Sequence, residues 1–150
     1  MPMKLKYYTS LISPEKSIIQ IEKKLVEIGA SHIAKSYESG HLSGIMFQVQ
    51  NKDRPMSFKL PANVGLVTDM MLSDIKRPRC GTENRIREQA ERTAWKLLLD
   101  WVEVQASMIL IGRREVVEVF LPYLYDFQKD ETLYQKLISG GFKQLLPPRE

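Results

Sequence analysis

Between Lys76 and Lys96 the chain carries seven basic residues: Lys76, Arg77, Arg79, Arg85, Arg87, Arg92 and Lys96. Only Glu83, Glu88 and Glu91 oppose them. Seven positive charges against three negative leave +4 in this window, equal to the formal net charge of the whole chain. Arg85, Arg92 and Lys96 lie seven and four residues apart, which sets them on one helical face with Trp95 at its edge. Guanidinium groups bind phosphate in a fork, and an exposed indole stacks on a base. The loop "IKRPRCGT" feeds straight into the start of the helix, whose free N–H groups favour an anion. Lys76, Arg77, Arg79, Arg85, Arg92, Trp95 and Lys96 therefore form a candidate nucleic-acid-binding set. The same residues also have a plainer account. A charged first half on an amphipathic helix is commonly a solvated face, with Glu88–Arg92 and Arg87–Glu91 as ordinary i,i+4 support. Tryptophan is on average highly buried, so core is the usual place for Trp95. Both accounts stand at this level.

Other residues with chemistry are scattered. His32 and His41 flank a turn and could meet across it, but two histidines alone make a poor metal site. Cys80 sits among Lys76, Arg77 and Arg79, a setting that lowers a thiol pKa; an inert loop thiol is the plain alternative. Asp69, Asp74, Glu83 and Glu88 gather near one loop, and "EKK" at 22–24 has an acid-x-lysine spacing found in some nucleases. Those last charges sit on a solvent-facing stripe, where they are routine. No Gly-rich phosphate loop, G-x-S-x-G or H-E-x-x-H is present. No catalytic residue, metal site or cofactor follows, and an enzyme stands third behind two binding readings. Gln105 lies in an apolar stretch and needs hydrogen-bond partners if buried.

The chain has 150 residues, one cysteine and a sequence pI of about 9.2. One domain is the expectation at that length. A single cysteine excludes an intramolecular disulfide and fits a reducing compartment. The N-terminal stretch has no long apolar region of a signal peptide, and "MILI" is far short of a membrane span. The cytoplasm is the expected location.

The elements that must position these residues can be read from period and capping. Residues 4–12 alternate imperfectly and suggest a strand. Ser13 as N-cap, Pro14 at the first position and Ile18, Ile21, Leu25 and Ile28 on one face predict a helix ending at Gly29. "SHIAKSYES", "HLSGIMFQVQ" and "RPMSFKLPA" predict an antiparallel meander with turns at 39–40 and 51–54. Residues 63–82 read as a long connection with a helical turn near Asp69–Leu72. Ile86, Ala90, Ala94, Leu97, Trp101, Val104, Met108 and Ile111 give the strongest period and predict a helix from 82 or 83 to about 111, stopped by Gly112. Its second half is apolar nearly all round, which predicts burial in a core or an oligomer interface. A short helix ending near Pro122 and a final helix capped by Asp130 complete the chain. The expected fold is a single α+β domain. Residues 1–62 form strand, helix and meander, 63–82 a connection, and 83–146 a helical part.

The pattern Arg92, Ala94, Trp95, Trp101, Val102, Gln105 and then Glu118-Val119-Phe120-Leu121-Pro122-Tyr123-Leu124 resembles a group of small uncharacterised bacteriophage and prophage proteins. The resemblance spans residues 91–124. It implies a phage-type origin and the host cytoplasm, and it carries no catalytic residue across. Two functions follow as expectations. One is a nucleic-acid-binding accessory protein that contacts phosphates of DNA or RNA through the basic loop and helix face. The other is a protein-binding module, an inhibitor of a host protein or a homo-oligomer, acting through the apolar half of the long helix and "VFLPYLY". No membrane partner is expected.

Overall fold

The computed structural model describes residues 5–75, 81–143 and 145–149. In chain order they form α1 (Pro14–Glu27), β1 (Ala30–Glu38), β2 (His41–Asn51), β3 (Arg54–Pro61), α2 (Val64–Ser73) and α3 (Thr82–Leu110). Then come α4 (Val116–Phe120), a 3-10 turn (Leu121–Tyr123), β4 (Tyr125–Asp126), β5 (Glu131–Thr132) and α5 (Leu133–Ser139). The fold is α+β.

Local chemistry accounts for the first half. The Ser13 side chain accepts from the Lys16 N–H, Pro14 opens α1, and Ile18, Ile21, Leu25 and Ile28 are buried as one stripe. Gly29 follows at φ 107°, a conformation that suits glycine. β1, β2 and β3 form an antiparallel meander in that order. Ser39 and Gly40 both take positive φ, as a tight hairpin turn matched to strand twist requires. Ile45, Phe47 and Val49 alternate inward on β2, opposite Leu60, Phe58 and Met56 of β3.

The core lies between that sheet face, α1 and α3. From α3 it takes Trp95, Leu99, Val102 and Ala106. Phe120 closes it, fully buried, with ring centroids 5.1 Å from Phe47 and 5.4 Å from Trp101, both edge-on. A second, smaller cluster joins Val67 and Met71 of α2 to Ala90 and Ala94 of α3. The C-terminal segment docks along the open edge of β3 through a bridge between Phe58 and Leu124.

Several expectations need correction. Residues 5–12 are not a strand but a run of turns laid along α3. The connection 63–82 holds a full helix, α2, seated by Val67 and Met71. The second half of α3 is not buried all round: Val104, Leu110 and Ile111 are exposed. The chain after Pro122 forms a small hairpin before α5. Asp130 is a turn residue at φ 50°, and the cap is Thr132 in a capping box with Gln135. Of the residues expected inward on α5, Leu133 and Leu137 are half-buried and Ile138 is exposed. His32 and His41 do not meet, because pairing sets His32 against Gln48 and His41 against Glu38, at opposite ends of the hairpin. No described helix is long and apolar enough to cross a membrane.

Candidate functional site

The N-terminal segment decides what the basic helix face can do. Thr93 Oγ1 donates to the Tyr7 carbonyl at 2.8 Å, and Gln89 Nε2 donates to the Ser10 carbonyl at 3.1 Å. Arg92 Nε donates to the same Ser10 carbonyl at 3.2 Å, and Arg92 Nη2 to Gln89 Oε1 at 2.6 Å. Lys6 Nζ meets Asp100 Oδ2 at 2.7 Å. This bond holds the Asp100 carboxyl below its ordinary value and the Lys6 ammonium above its own. Lys96 Nζ lies 5.4 Å from the Tyr7 ring centroid, a cation–π contact.

Residues 5–12 thus cover much of the face that the sequence offered to phosphate. Arg92 and Lys96 are engaged within the chain, while Arg85 is exposed. Trp95 is 1% exposed in the core, so the stacking role expected of it does not hold. Lys76, Arg77, Arg79 and Cys80 lie outside the described residues. The expected Glu88–Arg92 and Arg87–Glu91 pairs give way to other partners: Arg92 turns to Gln89 and Ser10, and Glu91 to His41.

A different site emerges where the hairpin end of the sheet, α2, α3 and the C-terminal hairpin converge. They enclose an open cleft of about 770 Å³. Lys59, Arg87 and His41 bring nitrogen groups to its wall, and Tyr125 and Tyr134 bring aromatic rings. Lys59 lies between the buried Phe58 and Leu60, so strand alternation turns it to the other face. There its Nζ stands 5.0 Å from the Tyr125 ring centroid. The Tyr125 hydroxyl donates to Asp130 across the C-terminal hairpin. That bond, then burial, raises the Tyr125 pKa above its ordinary value.

The floor of the cleft includes Asn63, Val64 and Gly65 at the start of α2. Asn63 adopts a left-handed conformation at φ 61° and makes no side-chain cap. The first intrahelical bond runs from the Val67 N–H to the Asn63 carbonyl at 3.1 Å. The N–H groups of Val64, Gly65 and Leu66 precede it, and no side chain caps them. This uncapped helix start lines the same cleft as Lys59 and Arg87, along with the carboxylates Glu38 and Asp130.

His41 sits at the rim, where its Nδ1 is 3.0 Å from Glu91 Oε1. With a carboxylate as acceptor, Nδ1 carries the hydrogen. Among the described residues no three His, Cys, Asp or Glu side chains cluster as a metal site. Gln105 is half-buried and lines a shallow groove with Met108, Arg114 and Glu118. Sequence reasoning included Arg87 in the basic window but left it out of the binding set, and it missed Lys59, Tyr125 and Tyr134. Lys59 alternates like any strand lysine, Tyr125 falls between two expected helices, and Tyr134 sits in a segment that reads as helical. Nothing local marked them. No protein-family model, curated protein or solved structure matches this chain.

Proposed function

We propose that the protein binds single-stranded nucleic acid, with a phosphate seated at the start of α2 between Arg87 and Lys59 and a base against Tyr125 or Tyr134. The observation that carries this reading is the cleft itself. It sets two cations and an uncapped helix N-terminus beside the half-buried Tyr125 and the exposed Tyr134. Cations that track phosphates and rings that stack bases are the two parts that a single-strand site combines. A volume of about 770 Å³ suits a short piece of strand rather than a duplex. The site is therefore proposed on the flank of α3 opposite the Arg85, Arg92 and Lys96 face. An accessory protein of phage type working in a host cytoplasm is the setting that the resemblance of residues 91–124 implies.

The test is a fluorescence-anisotropy titration with short DNA and RNA strands at two salt concentrations. Two phosphate contacts give a log–log salt slope of about −1.4, roughly a sevenfold weakening between about 50 and 200 mM salt. Reversing Arg87 and Lys59 together to Glu is expected to abolish binding. Reversing Arg92 is expected to spare it, provided that the fold survives. Absence of binding at low salt refutes the reading.

A second reading has one observation in its favour. Val104 and Ile111 are 53% and 69% exposed on one face of α3, with Leu110 exposed nearby. A protein-binding module, or an inhibitor of a host protein, would use that surface. Charge reversal in the cleft would leave such an activity intact.

A further inference from the structure

We propose that the chain forms a two-fold homodimer by pairing the outer edge of β1 with the same edge of a second copy, independently of the cleft. The three-stranded sheet has two edges. That of β3 is met by Leu124 through its bridge to Phe58, while no described residue pairs with the outer side of β1. β1 is nine residues long, and an edge strand presents a row of unpaired N–H and C=O groups. Its register against β2 shifts between Ala30 and His32 and again between Ser36 and Tyr37. The regular stretch is therefore His32 to Ser36. Its middle residue is Ala34, which is also the middle of the whole strand and is exposed. Lys35 would blunt this edge if it were free, but its Nζ is held by Glu22 of α1 at 3.1 Å.

The same ion pair shows which part of α1 borders the edge. Ile19, Glu22 and Val26 are three and four residues apart and share one helix face. Glu22 reaches Lys35 from the middle of that face, so the face overhangs β1. Ile19 and Val26 are 50% and 59% exposed on it. A second copy is the occupant that fits both surfaces, because a two-fold axis turns a strand edge and the helix flank above it onto their own copies. Antiparallel pairing that uses all nine residues sets Ala34 opposite the partner's Ala34. Alanine, the smallest side-chain type in the strand, then stands at the axis. His32 lies opposite the partner's Ser36, Ile33 opposite the partner's Lys35 and Glu38 opposite the partner's Ala30, so no like charges face each other. The pairing joins two three-stranded sheets into one and brings the two Ile19–Val26 flanks together out of water.

Sedimentation equilibrium of the full chain, from about 1 μM to about 1 mM, tests this. The expected mass rises with concentration from the 17.4 kDa of one chain toward twice that value. Ala34→Lys and Ala34→Glu each set like charges on the axis and are expected to weaken the dimer at least about tenfold. Mixed in equal amounts, the two variants should pair with one another. Ile19→Glu together with Val26→Glu is expected to weaken the dimer as well. All three positions are exposed, so thermal unfolding at low concentration should match the parent and separate lost pairing from a lost fold. A parent that stays monomeric throughout overturns the proposal. A dimer that survives both Ala34 variants belongs to another surface and overturns it too. Ala34 variants that stay monomeric when mixed overturn the pairing across Ala34, and a dimer indifferent to the Ile19 and Val26 changes overturns the helix contact.

Discussion

Phe120 joins the C-terminal wall of the cleft to the core, so Phe120→Ala tests whether that wall is seated as described. The side chain is fully buried and meets Phe47 and Trp101 edge-on at 5.1 and 5.4 Å, with Phe58 at 6.2 Å. Removing a buried phenyl ring costs roughly 3–5 kcal/mol, by lost transfer energy and by the cavity left behind. Two edge-on pairs place this position toward the upper end, at about 4–5 kcal/mol. For a chain of this length each kcal/mol lowers Tm by about 2–4 °C, so the expected fall is roughly 8–20 °C. Thermal and urea unfolding followed by tryptophan fluorescence measure it, because Trp101 touches the altered ring directly. The residues just after Phe120 line the cleft, so oligonucleotide affinity should fall as well, at temperatures where the variant is still folded. A loss below about 2 kcal/mol would refute the reasoning, because a fully enclosed ring cannot leave so cheaply. It would mean that α4 and the turn after it are not seated on the sheet.

Two other outcomes are expected. Gly44→Ala would place a Cβ 2.7 Å from the Leu60 backbone carbonyl, where neither strand can move aside, and should cost about 1–3 kcal/mol in urea unfolding. Asp100→Asn should loosen residues 5–12, read as faster amide exchange at Tyr7 to Ser10. In the parent, the lowered Asp100 pKa means that the contribution of the Lys6 pair is present above the ordinary carboxylate range and is lost as pH falls through the lowered value. The raised Lys6 pKa means that the contribution is also lost as pH rises through that raised value. Exchange at these amides should therefore lose its excess protection at both extremes in the parent and be flat in the variant.

What could be foreseen in the chain depended on how local its cause was. The cap, proline and stripe of α1 are all signals within sixteen residues, and each holds. The meander and its turn at Ser39–Gly40 are legible for the same reason. α2 escaped because apolar residues occupy both its faces: Val67 and Met71 are buried while Leu66 and Met70 beside them are exposed, so no period stands out. β4 and β5 have two residues each, too few to show alternation. The segment 5–12 looked like a strand because its residues suit one. Its actual partners are side chains on α3, more than seventy residues away. The cleft has the same difficulty in a stronger form. His41, Lys59, Arg87 and Tyr125 come from separate elements, and only tertiary packing brings them to the lining of one cleft.

The basic run shows why a count of charges along a helix overstates a binding face. Successive residues turn by about 100°, so neighbours in the run meet different surroundings. Arg92 and Lys96 face residues 5–12, Arg87 faces the cleft, and Arg85 faces solvent. A strand seated on Arg92 and Lys96 would first have to break the Arg92, Gln89 and Thr93 bonds to the Ser10 and Tyr7 carbonyls. Hydrogen bonds are worth about 0.5–1.5 kcal/mol each, more when one partner is charged. It would also lift Leu5 from the cluster around Val67 and Ala90. Lys59 meets the Tyr125 ring as Lys96 meets the Tyr7 ring, but the cleft requires no backbone segment to be lifted, because its helix start has no side-chain cap and its volume is already open. On the proposed reading, phosphate would bind on the Arg87 side of α3 at less cost than on the side where Arg92 and Lys96 are already engaged.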